Sequence, residues 1–275
     1  MTAVTAPIPA AAAPPVRHSK LGGAIADTLA IAGRNLRAMT RVPQVIVFST
    51  IQPVIFVLTF RYVFGGSIKL PHFPYEYVDF LMPGVFVQTI AFGGMQTGIG
   101  LSEDLHQGLI ERFRSLPMAR MAVLAGRAIS DLVRNLGVVI LMIVVGYLVG
   151  FRFHSGPFEI FVVLLLLLGF SFALSWVFAL IGLRAPNAEA AQAGSFPILA
   201  VLVFASTAFA PIENMPTWLQ DYNKVQPVSV VVKAARNLST GLGDTLVPTL
   251  QAIAWIIAIT AVFAPLAVSR YRKAA

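Results

Sequence analysis

Long apolar stretches, separated by short polar ones, make up most of the chain. The hydrocarbon core of a bilayer is about 30 Å thick, which corresponds to roughly 17–25 residues of α-helix. Stretches of about this length or longer occur at residues 42–61, 80–101, 121–151, 158–183, 193–210 and 245–268. The pattern therefore predicts an all-α membrane protein with six transmembrane helices.

The region before these stretches divides into two parts. Residues 1–19 are rich in Ala, Pro and Thr and have few large apolar side chains, so we expect a disordered cytoplasmic tail. From Ala24 to Arg41, apolar residues alternate with basic ones at helical spacing. We expect an amphipathic helix that lies in the membrane interface, near the start of a single transmembrane domain covering residues 20–275.

A polar, charged segment separates the second and third apolar stretches. Residues 102–115 can form about four turns of helix, since each turn takes roughly 3.6 residues. The first turn is acidic and the last is basic, which the helix dipole favours, and Leu105, Leu109 and Phe113 fall on one apolar face. Pro117 then ends the helix, because the residue before a proline avoids helical angles. Such a helix could bind a partner protein or lie on lipid headgroups, and the pattern leaves both open.

A second unusual segment precedes the last apolar stretch. It is neither a clear loop nor a clear span, because Pro211, Pro216 and Pro227 divide it. Trp218 and Tyr222 have the amphipathic rings that favour a membrane interface. The pattern predicts short, interrupted elements at this end of the membrane domain.

The composition supports a membrane protein. The chain has 275 residues, of which 57% are hydrophobic and 12% charged, whereas charged residues make up about a quarter of an ordinary soluble domain. It contains no cysteine, which excludes disulfides, thiolate metal sites and cysteine nucleophiles. The isoelectric point of about 10.2 could indicate a nucleic-acid partner, but the charges cluster at the ends of the apolar stretches. No nucleic-acid binding is therefore expected.

Basic residues are distributed unevenly between the two sides of the predicted membrane. The side with both termini and residues 102–120 holds 14 of the 20 Lys and Arg residues, and the other side holds six. Acidic residues divide six and six, so the two sides carry +8 and zero. Because cytoplasmic loops are enriched in Lys and Arg, both termini and this segment are predicted to face the cytoplasm of a multi-pass cell-membrane protein.

Few residues suggest catalysis, and no catalytic residue is predicted. The four histidines lie in separate segments without the spacing of a metal site, so no metal is expected. Residues 241–244 match the Gly-x-Gly-Asp string of intramembrane aspartyl proteases; the favoured alternative is a glycine turn in which Asp244 caps the last helix. No phosphate-binding glycine loop ends in Lys-Ser or Lys-Thr, so the chain itself is not expected to hydrolyse ATP or carry a cofactor.

Polar residues inside the predicted spans are candidates for a substrate pathway, although most such groups bond to neighbouring helices. The candidates are Gln52, Gln88, Thr89, Gln96, Ser171, Ser175, Ser195, Ser206 and Thr207. Charged residues are lacking at mid-membrane, which argues against a proton-coupled carrier. On the third span, Arg127, Asp131 and Arg134 share nearly one face. This face either forms internal ion pairs at the cytoplasmic interface or lines an electropositive vestibule for anionic cargo.

Four stretches resemble the type-2 ATP-binding-cassette (ABC) export permeases, particularly the daunorubicin-resistance branch. Glu111-Arg-Phe-Arg-Ser-Leu-Pro-Met-Ala-Arg120 is similar to the loop after the second span of that family. Three further stretches fit the family in the same order and extend the resemblance from about residue 35 to the end of the chain. They are Arg41-Val-Pro43, Phe64-Gly-Gly66, and Met215-Pro-Thr-Trp-Leu219 followed by Gln226-Pro-Val-Ser229 and Arg236.

The resemblance implies a permease subunit that exports an amphiphilic drug, antibiotic or lipid. ATP and Mg²⁺ would bind to a separate ATPase, present in two copies, and a second copy of this permease or a sister permease would complete the transporter among membrane lipids. It also implies that the 102–117 helix is a coupling helix that docks on the ATPase. The residues assigned to this contact are Glu103, Asp104, Leu109, Glu111, Arg112, Phe113, Arg114, Ser115, Pro117 and Arg120.

The resemblance further implies that short helices before the last span dip into the membrane from outside and form a gate. The gate candidates are Pro211, Met215, Pro216, Trp218 and Pro227. Two alternatives come from other classes, namely an ion-coupled secondary carrier and an intramembrane aspartyl protease. Co-purification with an ATPase would exclude both.

Overall fold

The structure, a computed structural model, describes residues 20–41, 43–66, 68, 70, 73–108 and 120–274. In these ranges the regular structure is entirely helical, which confirms the all-α prediction. The helices are α1 (Lys20–Arg41), α2 (Pro43–Thr59), α3 (Tyr77–His106), α4 (Arg120–Val149), α5 (Pro157–Gly182), α6 (Ala188–Phe204), α7 (Thr217–Val225), α8 (Pro227–Thr240) and α9 (Leu246–Ala274). A π-helical turn, Phe60–Phe64, continues α2, and a 3-10 turn, Ile212–Asn214, precedes α7.

Four of these helices are long and apolar enough to cross a membrane, by length and composition: α3, α4, α5 and α9. They correspond to the second, third, fourth and sixth predicted spans. The apolar stretches at Ile51–Phe64 and Ala188–Phe204 are shorter. The first and fifth spans, and with them the count of six, therefore remain predictions.

Helix α3 lies at the centre of the fold, packed against α4, α5, α6 and α8. Its contact with α5 depends on small residues, since Gly94 and Gly98 form a GxxxG pattern on α3. A Cβ atom added to Gly98 would lie 2.3 Å from the carbonyl oxygen of Phe178, and one added to Gly182 would lie 2.1 Å from the carbonyl oxygen of Gly98. The two backbones thus touch directly, as the GxxxG pattern predicts.

The predicted N-terminal amphipathic helix forms as α1. Its apolar side packs on α4, where Ile31 and Ala32 are buried, while Leu29 is exposed. Gly126 of α4 allows this approach, since a Cβ there would lie 2.8 Å from the carbonyl oxygen of Thr28. The apolar side of α1 therefore covers protein; its position in the membrane interface remains a prediction.

The boundaries of the fifth predicted span are wrong at both ends. Helix α6 begins at Ala188, capped by Asn187, whose side-chain oxygen accepts a hydrogen bond from the Ala190 nitrogen (2.7 Å). The alanine-rich sequence after Asn187 favours helix despite its polar residues. The polar connection between the fourth and fifth apolar stretches is therefore shorter than the sequence predicts. At the other end, α6 stops at Phe204, and residues 205–211 form an irregular segment whose carbonyl groups bind other elements.

The predicted proline breaks before the last span are confirmed. Pro211 precedes the 3-10 turn, Pro216 precedes α7, and Pro227 is the first residue of α8. Gly241, with φ +69°, ends α8. Short helices are therefore present where the resemblance implies them, and their depth in the membrane remains a prediction.

Candidate functional site

A network of charged side chains joins α3 and α4, the two helices that flank the predicted coupling segment. Arg127 of α4 forms an ion pair with Asp104 of α3. Asp131 lies between the two arginines of α4, with its carboxylate 3.9 Å from the Nε atom of Arg127 and 3.3 Å from the Nη1 atom of Arg134. The Asp131 side chain is 4% exposed. The internal pairing predicted for this face is confirmed.

Further hydrogen bonds extend this network to two more helices, α1 and α5. The Nη2 atom of Arg134 donates to the Gly93 carbonyl oxygen on α3 (2.8 Å). The Nδ2 atom of Asn135 donates to the Ser171 hydroxyl on α5 (2.6 Å), and that of Asn35 on α1 donates to the Ser130 hydroxyl (3.4 Å). Polar contacts thus join α1, α3, α4 and α5, and those of Gly93, Asn135 and Ser171 lie near the middle of their helices.

The predicted start of the coupling helix is wrong. Glu103 and Asp104 lie in the last turns of α3, which runs without interruption to His106, and not in the first turn of a new helix. The physical break is Gly108, whose φ of +65° suits glycine and ends the helix. A change from apolar to polar residues marks an end of burial, whereas only a backbone break ends a helix.

Most residues assigned to the coupling contact lie outside the described residues, and their roles remain predictions. Arg120 opens α4, but its side chain also lies outside the description. The residues outside are Leu109, Glu111, Arg112, Phe113, Arg114, Ser115 and Pro117.

A second polar network lies at the opposite end of α3, around Arg236 of α8. Its Nε atom donates to the Phe80 carbonyl oxygen (2.9 Å), and its Nη2 atom donates to the carbonyl oxygens of Thr207 (2.8 Å) and Ala208 (3.4 Å). The guanidinium also lies over the Phe80 ring, 3.6 Å from the centroid. Burial lowers the pKa of Arg236 to about 9, against the opposing effects of Tyr77 and Glu213, so the group stays protonated at neutral pH.

Three buried polar side chains stabilise the segment that holds the gate candidates. The Ser229 hydroxyl donates a hydrogen bond to the side-chain oxygen of Asn223 on α7. The Ser229 oxygen in turn accepts hydrogen bonds from the Nε2 atom of Gln226 (2.6 Å) and from the Thr207 backbone nitrogen (3.0 Å). Of the gate candidates, Trp218 is 70% exposed and Pro211 is buried. Their role in a gate remains a prediction.

The substrate-pathway candidates divide into buried and exposed groups. Gln52 and Gln96 are exposed, and the other seven are buried. Four of the buried hydroxyl groups donate to backbone carbonyls three or four residues earlier in the chain, from Thr89, Ser175, Ser195 and Ser206. These bonds satisfy the hydroxyl groups within one chain, and their role in a pathway remains a prediction.

The Gly-x-Gly-Asp string forms a helix cap. Asp244 is exposed, and its Oδ1 atom accepts hydrogen bonds from the backbone nitrogens of Leu246 (2.9 Å) and Val247 (3.4 Å), at the start of α9. The capping alternative is therefore confirmed. The protease alternative needs a second catalytic aspartate, and Asp79 is a candidate for it. Its Oδ1 atom instead accepts a hydrogen bond from the Arg152 backbone nitrogen (2.8 Å), and its Oδ2 atom lies 3.1 Å from the Nε2 atom of His154.

The arrangement is that of a helical membrane protein whose central helix connects two polar networks, with a chain segment emerging between α3 and α4. Comparison of the sequence with protein families shows that the ABC-2 type transporter family matches residues 26–240. The chain belongs to the ABC-2 type transporter family. It is a transmembrane permease subunit of an ABC transporter.

Individual ABC-2 relatives agree with this assignment. The chain is 34% identical to the daunorubicin resistance ABC transporter permease protein DrrB1 of Streptomyces coeruleorubidus, over 91% of this chain and 87% of the relative. It is 28% identical to the probable doxorubicin resistance ABC transporter permease protein DrrC of Mycobacterium tuberculosis, over 91% and 90%. It is 25% identical to the putative transport permease ycf38 of Cyanophora paradoxa, over 73% and 69%.

Sequence reasoning missed the partners of two key residues in this ABC-2 permease. Asp104 was expected on a docking surface, yet it pairs with Arg127. Arg236 appeared only as part of a family resemblance, although its spacing of seven residues after Ser229 places both on one face of α8, towards Thr207. Arginine in a largely buried helix is itself a signal, because such residues are rarely buried without partners.

Proposed function

We propose that this permease subunit belongs to an ATP-driven exporter and that residues 107–119 dock on a separate ATPase. The observation that carries the proposal is the Asp104–Arg127 ion pair, which joins the two helices that enter and leave this segment. Because this pair joins the ends of α3 and α4 that flank the segment, a force on the segment would be transmitted to both helices. Docking on an ATPase would therefore act on the membrane domain itself.

The charge distribution supports the orientation that this role needs. The side with both termini and the docking segment carries +8, and the opposite side carries zero, so we assign the first side to the cytoplasm of the cell membrane. The proposed topology has six spans, with α2 and α6 as the first and fifth. Counted from Pro43 to Phe64, α2 and its π-helical turn are about 33 Å long, enough for a hydrocarbon core of about 30 Å.

The proposed mechanism uses α3 to connect the two polar networks. Nucleotide-driven closure of two ATPase subunits would move the docking segment and the inner end of α3. Since α3 contacts α4, α5, α6 and α8, its movement would repack most of the domain. Its outer end meets Arg236 through the Phe80 carbonyl oxygen, so the movement would reach the gate segment between α6 and α9.

The cargo is proposed to be an amphiphilic drug, antibiotic or lipid. This proposal rests on relatives whose names refer to daunorubicin and doxorubicin resistance. The complete transporter would contain two ATPase chains that bind ATP and Mg²⁺, and a second permease, either identical or a sister chain. Within this chain, no side chain is assigned to nucleotide or metal.

The test is a change of Phe113, the largest apolar side chain on the predicted docking face. Burial of such a side chain contributes roughly 1.5–3 kcal/mol, and about 1.4 kcal/mol corresponds to a factor of ten in affinity. Phe113→Ala should therefore weaken ATPase binding by about one to two powers of ten, without loss of membrane insertion. The measurements are co-purification of the ATPase and cargo-stimulated ATP hydrolysis in reconstituted membranes.

Phe158→Ala is the matched control, because Phe158 is 73% exposed at the opposite end of the domain. It should leave both measurements unchanged. If Phe113→Ala also leaves them unchanged while the docking segment is shown to be folded, the segment only lies on lipid and the proposal is wrong. If the protein were a secondary carrier, no ATPase would co-purify with either variant.

A further inference from the structure

An open cavity of about 450 Å³ lies beside Arg236, between the 3-10 turn, α7, α8 and α9. Ligand sites for small molecules commonly have volumes of about 300–1,000 Å³, so the space can hold a polar headgroup. Its charged lining residues are Glu213, Lys224, Lys233 and Arg236, and Gln251 of α9 closes one side. The Arg236 network forms part of the wall of this cavity.

Arg236 presents unused hydrogen-bond donors at this cavity. Three of its five N–H groups bind the carbonyl oxygens of Phe80, Thr207 and Ala208. The two on Nη1 bind no acceptor in the ranges that the structure covers. Nor does any carboxylate there lie within ion-pair distance, so backbone dipoles, the Phe80 ring and the more distant Glu213 carboxylate balance the positive charge. A half-buried cation of this kind gains from an anion that completes its hydrogen bonds.

Lys233 provides a second cation for the same anion. It lies three residues before Arg236 on α8, which places both on one face of the helix, and its side chain is exposed. Lys224, by contrast, pairs with Asp221 (2.7 Å). With that pair neutral, the remaining lining charges are two positive and one negative, which leaves the cavity at +1.

The surroundings of the cavity favour an amphiphile over a free ion. Trp218 and Val225 of α7 are 70% and 63% exposed, and Leu250 of α9, next to Gln251, is 56% exposed. Ile257, about two turns further along α9, is also exposed, so an apolar surface continues away from the cavity along this helix. A phosphate in the cavity could therefore keep its acyl chains on α9.

We propose that this cavity binds the headgroup of a phospholipid, with Lys233 and the free Nη1 atom of Arg236 holding its phosphate. This site adjoins the predicted gate, because Thr207 and Pro211 also line the cavity, and it is distinct from the ATPase-docking segment. An occupied site would add an anion to Arg236, a half-buried arginine without a carboxylate within ion-pair distance in the described part of the chain. The bound lipid would thereby stabilise the segment between α6 and α9.

The experiment measures binding to the purified full-length chain in a neutral detergent, by native mass spectrometry and by thermal unfolding. The probes are dioctanoyl phosphatidylglycerol, dioctanoylglycerol without phosphate, and glycerol phosphate without acyl chains. Only the first should bind and raise the unfolding temperature. Lys233→Gln should weaken its binding about tenfold, since a charged hydrogen bond is lost, and Lys233→Arg should retain it.

Lys224→Gln is the matched control, because Lys224 lines the same cavity but is already neutralised by Asp221. It should bind the lipid as the unmodified chain does. Equal binding of dioctanoylglycerol would overturn the phosphate contact, and equal binding of glycerol phosphate would overturn the assignment to a lipid. Unchanged binding by Lys233→Gln would overturn the site, since this exposed side chain can be changed without unfolding the protein.

Discussion

The two ends of α3 hold arginine side chains in opposite ways. At the inner end, Arg127 and Arg134 pair with the carboxylates of Asp104 and Asp131. At the outer end, Arg236 binds backbone carbonyl oxygens and an aromatic ring, with no carboxylate in ion-pair distance among the described residues. The first arrangement is built on ion pairs between side chains, with one further bond from Arg134 to the Gly93 carbonyl oxygen, and the second has no ion pair and joins a side chain to the backbone.

This difference separates a contact that can change from one that fixes the fold. Arg127 and Asp104 are 17% and 27% exposed, so water can reach this pair, and Asp131 offers Arg127 a second carboxylate if Asp104 moves away. The carbonyl oxygens around Arg236 have no such substitute, because Thr207 and Ala208 are buried. We therefore expect the inner network to respond to the ATPase and the outer network to hold the gate segment in place.

The first test establishes which end faces the cytoplasm, with an all-or-none readout. This cysteine-free chain allows single cysteines at Gln107, Gly66 and Asn214, each of which is exposed. Gln107 is preferable to Gly108, whose positive φ disfavours a side chain. A membrane-impermeant thiol reagent on whole cells should label positions 66 and 214 only, because the positive side is proposed to face the cytoplasm. Labelling at 107 would reverse the proposed orientation.

The largest effect on stability is expected at the outer end. Arg236→Met removes donors from three carbonyl oxygens at once, and leaving buried acceptors unpaired should cost roughly 3 kcal/mol or more. The measurement is the apparent unfolding temperature in lipid-free detergent, together with the yield of monodisperse protein. Lys233→Met, one turn away and exposed, should leave both near the unmodified values. If the two variants behave alike, the carbonyl contacts do not stabilise the fold.

A smaller effect, on coupling and not on folding, is expected at the inner end. Asp104→Asn breaks the ion pair with Arg127 and should reduce cargo-stimulated ATP hydrolysis by about 2- to 30-fold, the usual range for residues that carry coupling. Its unfolding temperature should change little, since the pair is partly exposed. Glu189→Gln is the control, because Glu189 is exposed at the start of α6 and is not among the residues assigned to the ATPase contact. Full coupling in Asp104→Asn would remove this ion pair from the mechanism.

The smallest effect is expected at Asp244, on the outer side but outside the Arg236 network. Asparagine caps helices about as well as aspartate, so Asp244→Asn should cost less than about 1 kcal/mol and leave cargo efflux within a few-fold. Efflux from reconstituted vesicles is the measurement. Complete loss of transport in a folded, ATPase-binding variant would restore the catalytic alternative for Gly-x-Gly-Asp.

Hydrophobic length located the long helices well, because the bilayer sets both the length and the composition of a span. Helices α4 and α5 begin and end within about two residues of the predicted stretches. Two helix boundaries were predicted wrongly because polarity changes there while the helix continues, at Ser102 and after Ala188. In both places hydropathy reports burial, while the end of a helix depends on glycine, proline or a cap.

The polar networks were harder to predict, because their partners come from distant parts of the chain. The i,i+3 and i,i+4 pairs of Asp131 follow from helical spacing alone, and these were predicted. The pair between Asp104 and Arg127 needs two helices side by side, and the bonds from Arg236 to Thr207 and Ala208 need the irregular turn after α6. No local pattern in the sequence contains that information.

The backbone contact between Gly98 and Gly182 is a point about which α3 could tilt as a rigid rod. His106 lies 8 residues from Gly98 on one arm and Gly84 lies 14 residues away on the other. At 1.5 Å per residue the arms are about 12 Å and 21 Å, so a tilt that moves His106 by about 1 Å moves Gly84 by roughly 1.8 Å in the opposite direction. Gly84 faces the backbone of Ala208 with no room for a side chain, since a Cβ there would lie 2.1 Å from the Ala208 oxygen. If α3 tilts about this contact, the displacement of its Gly84 end would carry the Ala208 turn with it, because Arg236 binds both the Phe80 and the Ala208 carbonyl oxygens.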